Sequence, residues 1–252
     1  MHECTGWRDA LDLHSKEHIA LVGGGGKTTT LWSLARELCP QRLTVVTSTT
    51  KAGPAESGVP LVLWHEGMEE ATLTEALHGA SQRSQLLALG NTTRTDRIQS
   101  VGPAALDFVF TRLQANVINE ADGARMKPFK APAMHEPVLA SSTTLGLIVM
   151  GTDAIGTSID ADHLHRPELI EQMTGANAGD ALTPAHIVAI VRRYIERISE
   201  QAPGARFAVL INKAEGGPGR SVRDLSISLA NSGLAAVVAA SQSSALKCWR
   251  LD

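Results

Sequence analysis

Apolar, β-branched runs recur at residues 19–22, 43–47, 61–64, 85–89, 116–119, 145–150, 207–211 and 235–239. Several are unbroken rather than alternating, as parallel strands covered on both faces require. Between them the apolar period becomes helical. Leu31, Leu34, Ala35 and Leu38 share a stripe that Pro40 stops, and Leu106, Val109, Phe110 and Leu113 form a second. Ile187, Ile190, Val191, Tyr194, Ile195 and Ile198 form a third, with Thr183 as N-cap and Pro184 in the first turn. Strand–helix alternation over the whole length predicts a doubly wound, mostly parallel α/β sheet in a single domain over residues 1–252. Residues 123–143 contain Pro128, Pro132 and Pro137 and no clear period. A loop of that length inside a compact domain is usually functional.

Composition narrows the function classes. With 23 Lys and Arg against 26 Asp and Glu the formal net charge is −3, and no block of like charges occurs. That argues against a nucleic-acid partner held through a phosphate footprint. No apolar run approaches the ~20 residues of a spanning helix, so no membrane partner is expected. The start, Met1-His2-Glu3-Cys4, lacks the basic-then-apolar pattern of a signal peptide. Cys4, Cys39 and Cys248 are odd in number and in no metal spacing, and read as reduced thiols of a cytoplasmic protein. Trp7, Trp32, Trp64 and Trp249 are scattered and read as packing residues.

The strand at 19–22 runs into Gly23-Gly24-Gly25-Gly26-Lys27-Thr28-Thr29 and then into the Leu31 helix. A strand, a glycine loop and a helix N-terminus are the context of a phosphate-binding loop, and they make the sheet P-loop NTPase-like. Backbone N–H groups converge on phosphate oxygens where no Cβ intervenes, and the helix dipole adds positive potential. Lys27, expected at an exposed helix N-terminus, reaches the β- and γ-phosphates, while the Thr28 hydroxyl faces Mg²⁺. The standard spacing needs glycine where Leu21 stands, so the loop is a shorter one, similar to that of the Mur ligases.

The strand at 116–119 ends in Glu120-Ala121-Asp122-Gly123. Two residues apart on extended backbone, both carboxylates face one side. Asp122 is expected to hold Mg²⁺ and Glu120 to orient the attacking nucleophile; the alternative is a turn acid beside a solvated glutamate. Arg125, Lys127 and Lys130 follow closely and could clamp anionic oxygens, or form a solvated basic loop. After the strand at 207–211, Asn212-Lys213-Ala214-Glu215 is similar to the guanine-reading N-K-x-D element, with an acid one methylene longer. Guanine and adenine both remain open. Ser48-Thr49-Thr50-Lys51 could approach Mg²⁺ or the γ-phosphate, or form a polar turn. Asp160, Asp162, His163 and His165 are dense in ligand-type side chains but match no standard zinc spacing.

Together these segments resemble the YqeC family of selenium-dependent hydroxylase accessory proteins. The resemblance is carried by VGGGGKTT at 22–29, TSTTK at 47–51, EADGA at 120–124 with Pro128, and the run from Lys130 to Pro132. His135-Glu136-Pro137, His165-Arg166-Pro167-Glu168 and residues 211–213 complete it. Asn119 and Glu215 depart from the family pattern, which has an aliphatic residue and an aspartate there. The resemblance implies a cytoplasmic P-loop protein tied to the maturation of selenium- or molybdenum-containing hydroxylases. The expected activity is a Mg²⁺-dependent ATP or GTP hydrolase whose partner is such a hydroxylase or its cofactor. A kinase or ligase-type transferase and a non-catalytic nucleotide-gated chaperone are the alternatives. No role follows for His135, Glu136, His165 or Arg166.

Overall fold

The computed structural model describes residues 2–50, 55–91, 100–233, 237–242 and 245–251. Lys51 and the start of the expected last strand, residues 235–236, lie outside them. In chain order the elements are β1 (His2–Cys4), α1 (Trp7–Leu11), β2 (His18–Gly23), α2 (Lys27–Leu38), β3 (Thr44–Ser48), β4 (Leu61–Leu63), α3 (Glu70–Ser81), β5 (Leu86–Gly90) and α4 (Pro103–Arg112). They continue with β6 (Asn116–Glu120), β7 (Leu145–Gly151), a 3₁₀ turn (Thr152–Ala154), α5 (Pro167–Thr174), α6 (Pro184–Gln201), β8 (Arg206–Asn212), α7 (Arg220–Ala230), β9 (Val237–Ser241) and β10 (Lys247–Arg250).

One ten-stranded sheet holds them in the order β1-β10-β9-β8-β7-β2-β6-β3-β5-β4. From β9 to β4 every neighbouring pair is parallel. β10 and β1 close one edge antiparallel. Neither closing strand belongs to the expected set, because His2–Cys4 and Lys247–Arg250 are short and carry no apolar run. Their ladder sets Cys4 opposite Cys248, and both thiols are free.

The central strands explain the unbroken apolar runs. In β2, Ile19 and Leu21 pack into one cluster with Trp7 and Leu34, while Ala20 and Val22 pack into another with Phe129 and Tyr194. β7 and β8 divide their residues in the same way, so alternate side chains are buried on opposite faces. α2 covers the first face. α6, α5 and α7 cover the second, and α3 and α4 pack on a third cluster that includes Val45 and Val117. α2 ends at Leu38, ahead of Pro40, as expected.

β2 is flanked by β7 and β6, and its chain continues through α2 to β3, beyond β6. The carboxyl ends of β2, β6, β7 and β8 therefore frame a crevice where chain direction across the sheet reverses, the usual ligand position in open α/β sheets. The 123–143 segment crosses this end without helix or strand, and its Phe129, Ala131, Leu139 and Ala140 are buried.

α6 starts at a reciprocal cap: the His186 N–H donates to Thr183 Oγ1, and the Thr183 N–H donates to His186 Nδ1, each at 3.3 Å. Thr183→Ala is expected to lower stability by about 1 kcal/mol. Urea denaturation checks this as a lower midpoint at unchanged m-value.

Candidate functional site

The glycine loop turns through left-handed backbone at Gly23, Gly25 and Gly26, with φ of +93°, +72° and +113°. Its packing leaves no room for side chains. A Cβ on Gly25 would lie 2.1 Å from the Gly151 nitrogen, and one on Gly26 would lie 2.3 Å from Asn212 Nδ2. Three of the loop's N–H groups are taken up internally. Gly23 donates to the Asp122 carboxylate at 3.0–3.1 Å, Gly24 to the Val149 carbonyl at 2.9 Å and Gly25 to the Lys127 carbonyl at 3.0 Å. The donors left for an anion are those of the Gly26 cap and the first turn of α2, which have no intrahelical partner.

Glu120 and Asp122 both reach the glycine loop and the start of α2, and serve different groups there. β6 ends at Glu120, and Asp122 reaches the loop from just beyond the strand. The Thr28 hydroxyl donates to Glu120 Oε1 at 2.6 Å. Asp122 is fully buried and engaged on both oxygens. Besides the Gly23 N–H, Tyr194 donates its hydroxyl at 2.9 Å, and Lys27 and Lys130 approach to 3.1 and 3.2 Å. Burial, then the neighbouring Asp122 charge, pushes the Tyr194 hydroxyl well above its ordinary pKa, so it stays a donor.

Lys27 differs from the expectation of an exposed helix N-terminus. It is only 5% exposed, and its ammonium folds back onto the Gly23 carbonyl at 2.6 Å and onto Asp122. Physically, a buried ammonium needs a counter-charge, and Asp122 supplies it. Lys130 also departs from the basic-loop reading. It is completely buried, donating to the Gly123 carbonyl at 2.7 Å and to Glu136 at 2.6 Å. Glu136 in turn accepts both terminal nitrogens of Arg166. An ionic chain thus runs Lys27–Asp122–Lys130–Glu136–Arg166. Burial pushes the Glu136 carboxyl up, but Arg166 and Lys130 outweigh it and hold the pKa at about 2. No local sequence pattern marks the Glu136–Arg166 pairing, and the apolar stripe of α6 does not reveal that Tyr194 donates to Asp122.

A cavity of about 750 Å³ opens over the loop, lined by Gly24–Gly26, Lys27, Thr28, Thr29, Glu120, Arg125, Lys127 and Lys213 among others. Two smaller cavities flank it. One of about 270 Å³ shares Lys213 and adds Thr152, Glu215 and Arg220. The other, of about 410 Å³, shares Arg125 and Lys127 and adds His165, Arg166 and Glu168. Asn212 is committed to the loop: it donates to the Gly25 carbonyl at 2.9 Å and accepts from Gln242 at 3.0 Å. Lys213, at φ +64°, bonds Asp153 at 2.6 Å. Ser48 and Thr49 spend their hydroxyls on the carbonyls of Glu120 and Val138 instead of lining the cleft. Asp160 accepts from His163 and from backbone N–H groups in its own turn, while His165 faces the flanking cavity. Among the described residues no group of three or more His, Cys, Asp or Glu side chains is placed to hold a metal ion by itself.

The ionic chain makes an acid-stability prediction. Glu136 titrates near 2 in the folded chain, below its ordinary 4.5, so its contribution is complete above about 4.5 and is lost as pH falls toward 2. His18 and His165 act in a different window. Burial lowers both to about 4, so their neutral forms cost stability as pH falls from 6.5 to 4. Glu136→Gln, which leaves Lys130 and Arg166 with one buried carboxylate fewer, is expected to cost ~3–5 kcal/mol. It should also flatten the acid limb below about pH 4.5 while preserving the limb above it. Denaturant midpoints measured from neutral pH to about pH 2 check both.

A model described as YqeC protein matches residues 19–168, more than half of the chain. An uncharacterized protein YqeC of Escherichia coli (strain K12) is 29% identical over 199 residues, covering 77% of this chain and 75% of the relative. No solved structure matches. The matched span starts at the strand before the glycine loop and ends at Glu168, enclosing both Lys27 and the Arg166 end of the ionic chain. The chain belongs to the YqeC family.

Proposed function

We propose that the chain binds a magnesium–nucleoside triphosphate in the central cleft and hydrolyses it, as a cytoplasmic accessory protein in the maturation of selenium- or molybdenum-containing hydroxylases. One observation carries the nucleotide reading. The Thr28 hydroxyl, in the first turn after the glycine loop, meets a carboxylate from the end of the adjacent parallel strand at 2.6 Å. The accessory role rests on the resemblance of the motifs alone.

The donor set suits Mg²⁺, a hard ion that takes one or two protein oxygens and completes its shell with phosphate oxygens and water. Thr28 and Glu120 would hold it, and the ion would neutralise charge developing on the transferred phosphoryl group. The fully engaged Asp122 is therefore reassigned from ion ligand to counter-charge for Lys27. When triphosphate enters, Lys27 leaves the Gly23 carbonyl and turns to its β- and γ-oxygens, while Lys130 and Tyr194 continue to compensate Asp122. The N–H groups from Gly26 to Thr29 cradle one phosphate. The base enters the 270 Å³ cavity past Lys213, with Glu215 as its candidate acceptor.

A second reading, a nucleotide-gated chaperone without turnover, is favoured by the absence of a second available carboxylate beside Thr28 among the described residues. Phosphate release under single-turnover conditions separates the two.

Calorimetry tests the cleft. Lys27→Ala should abolish triphosphate binding, and wild-type affinity in that variant overturns the phosphate-loop reading. Glu120→Gln should weaken Mg²⁺-dependent binding by about tenfold or more and leave Mg²⁺-free binding unchanged. Equal losses would return the ion to Asp122 or to neither acid. GTP-against-ATP competition in Glu215→Ala reports on the base pocket: an unaltered ratio makes Glu215 a solvated loop acid.

A further inference from the structure

We infer that the 410 Å³ cavity beside the cleft is a second ligand site, built for a small phosphate monoester that also carries a hydroxyl group. It rests on the nucleotide reading only for what occupies the neighbouring cleft. Three cations converge on its walls, Arg125, Lys127 and Arg166, with His165 between them. The Arg125 guanidinium and the Lys127 ammonium have no carboxylate partner among the described residues; Lys127 donates only to the Asp162 carbonyl. Arg125, at φ +47°, is exposed at the rim of the cavity on a turn that continues into the fully exposed Met126.

Arg166 is fixed differently. Its guanidinium is anchored through both terminal nitrogens by Glu136, which is pinned in turn by the buried Lys130, so this wall residue is held in place at little further entropic cost and offers the cavity only the N–H groups that Glu136 leaves free. His165 is neutral above about pH 4, through burial and then through the cations around it. A neutral ring can donate one N–H without adding charge. Among the wall residues Glu168 alone is a carboxylate. It repels a polyphosphate and accepts from a hydroxyl, which selects a singly phosphorylated, hydroxylated molecule over a second nucleotide triphosphate. Because Arg125 and Lys127 line both cavities, that ligand and the nucleotide lie side by side.

Calorimetric titration of glycerol 3-phosphate and of inorganic phosphate, onto protein saturated with Mg²⁺ and a non-hydrolysable ATP analogue, tests this. Both probes are expected to bind with the analogue in place, the monoester more tightly. Ala161 is exposed and lines the flanking cavity but not the central cleft. Ala161→Glu should weaken both probes about tenfold or more, through like-charge repulsion, and leave analogue affinity unchanged. Competition between probe and analogue, binding indifferent to Ala161→Glu, or no binding at all overturns the inference. Should the analogue fail to bind while probe binding stays sensitive to Ala161→Glu, the nucleotide reading falls and this site stands.

Discussion

Asp122 carries its charge in complete burial, where an uncompensated carboxylate is prohibitively costly. The surrounding architecture supplies compensation from four separate parts of the chain: the first loop glycine, the start of α2, the 123–143 segment and the middle of α6. Each of these is tied to the others through one side chain. The glycine loop keeps its curvature because Gly23 has somewhere to donate, and Lys27 keeps its place because a counter-charge lies within reach. The irregular 123–143 segment stays packed against the sheet because Lys130 bridges Asp122 and Glu136. Tyr194 reaches across from α6 with a hydroxyl that burial holds in its neutral form, and so adds a donor without adding charge.

Saturation of the loop from within has a chemical corollary. With Gly23, Gly24 and Gly25 already donating to the protein, the anion cradle is limited to the Gly26 cap and the first turn of α2. The short loop, with Leu21 where the longer pattern needs glycine, agrees with this narrower cradle. Specificity and affinity then fall more heavily on side chains: Lys27, the Thr28–Glu120 pair, and the cations from 125 to 127 that the loop's partner segment presents.

The sheet was legible because its central strands are buried on both faces, which leaves continuous apolar runs from β2 to β8. The glycine loop was legible because strand, glycines, lysine and helix follow one another without interruption. The edge was not: β1 and β10 bury little, so no apolar period marks them. Nor were the roles of Lys130, Glu136 and Arg166, whose pairings span gaps of up to 30 residues and leave no local pattern. Tyr194 fits its helical stripe by the apolar body of its ring, and the stripe says nothing of its hydroxyl. The spacing of Glu120 and Asp122 points both acids at the loop, where both are found, but it carries no sign that Asp122 is fully buried and shared among four partners. In the Thr47-to-Lys51 motif, Ser48 and Thr49 hold the end of β6, and Lys51 lies outside the described residues.

The sheet's two outermost strands, β1 and β4, are three residues each, His2–Cys4 and Leu61–Leu63. A ten-stranded, mostly parallel sheet is rich in segments that could template intermolecular pairing. Here each margin presents only a three-residue strand, which limits the template for such pairing. His2 and Glu3, both exposed, further discourage stacking at one margin. Two strands that contribute little to the core thus set how much open sheet margin the fold presents.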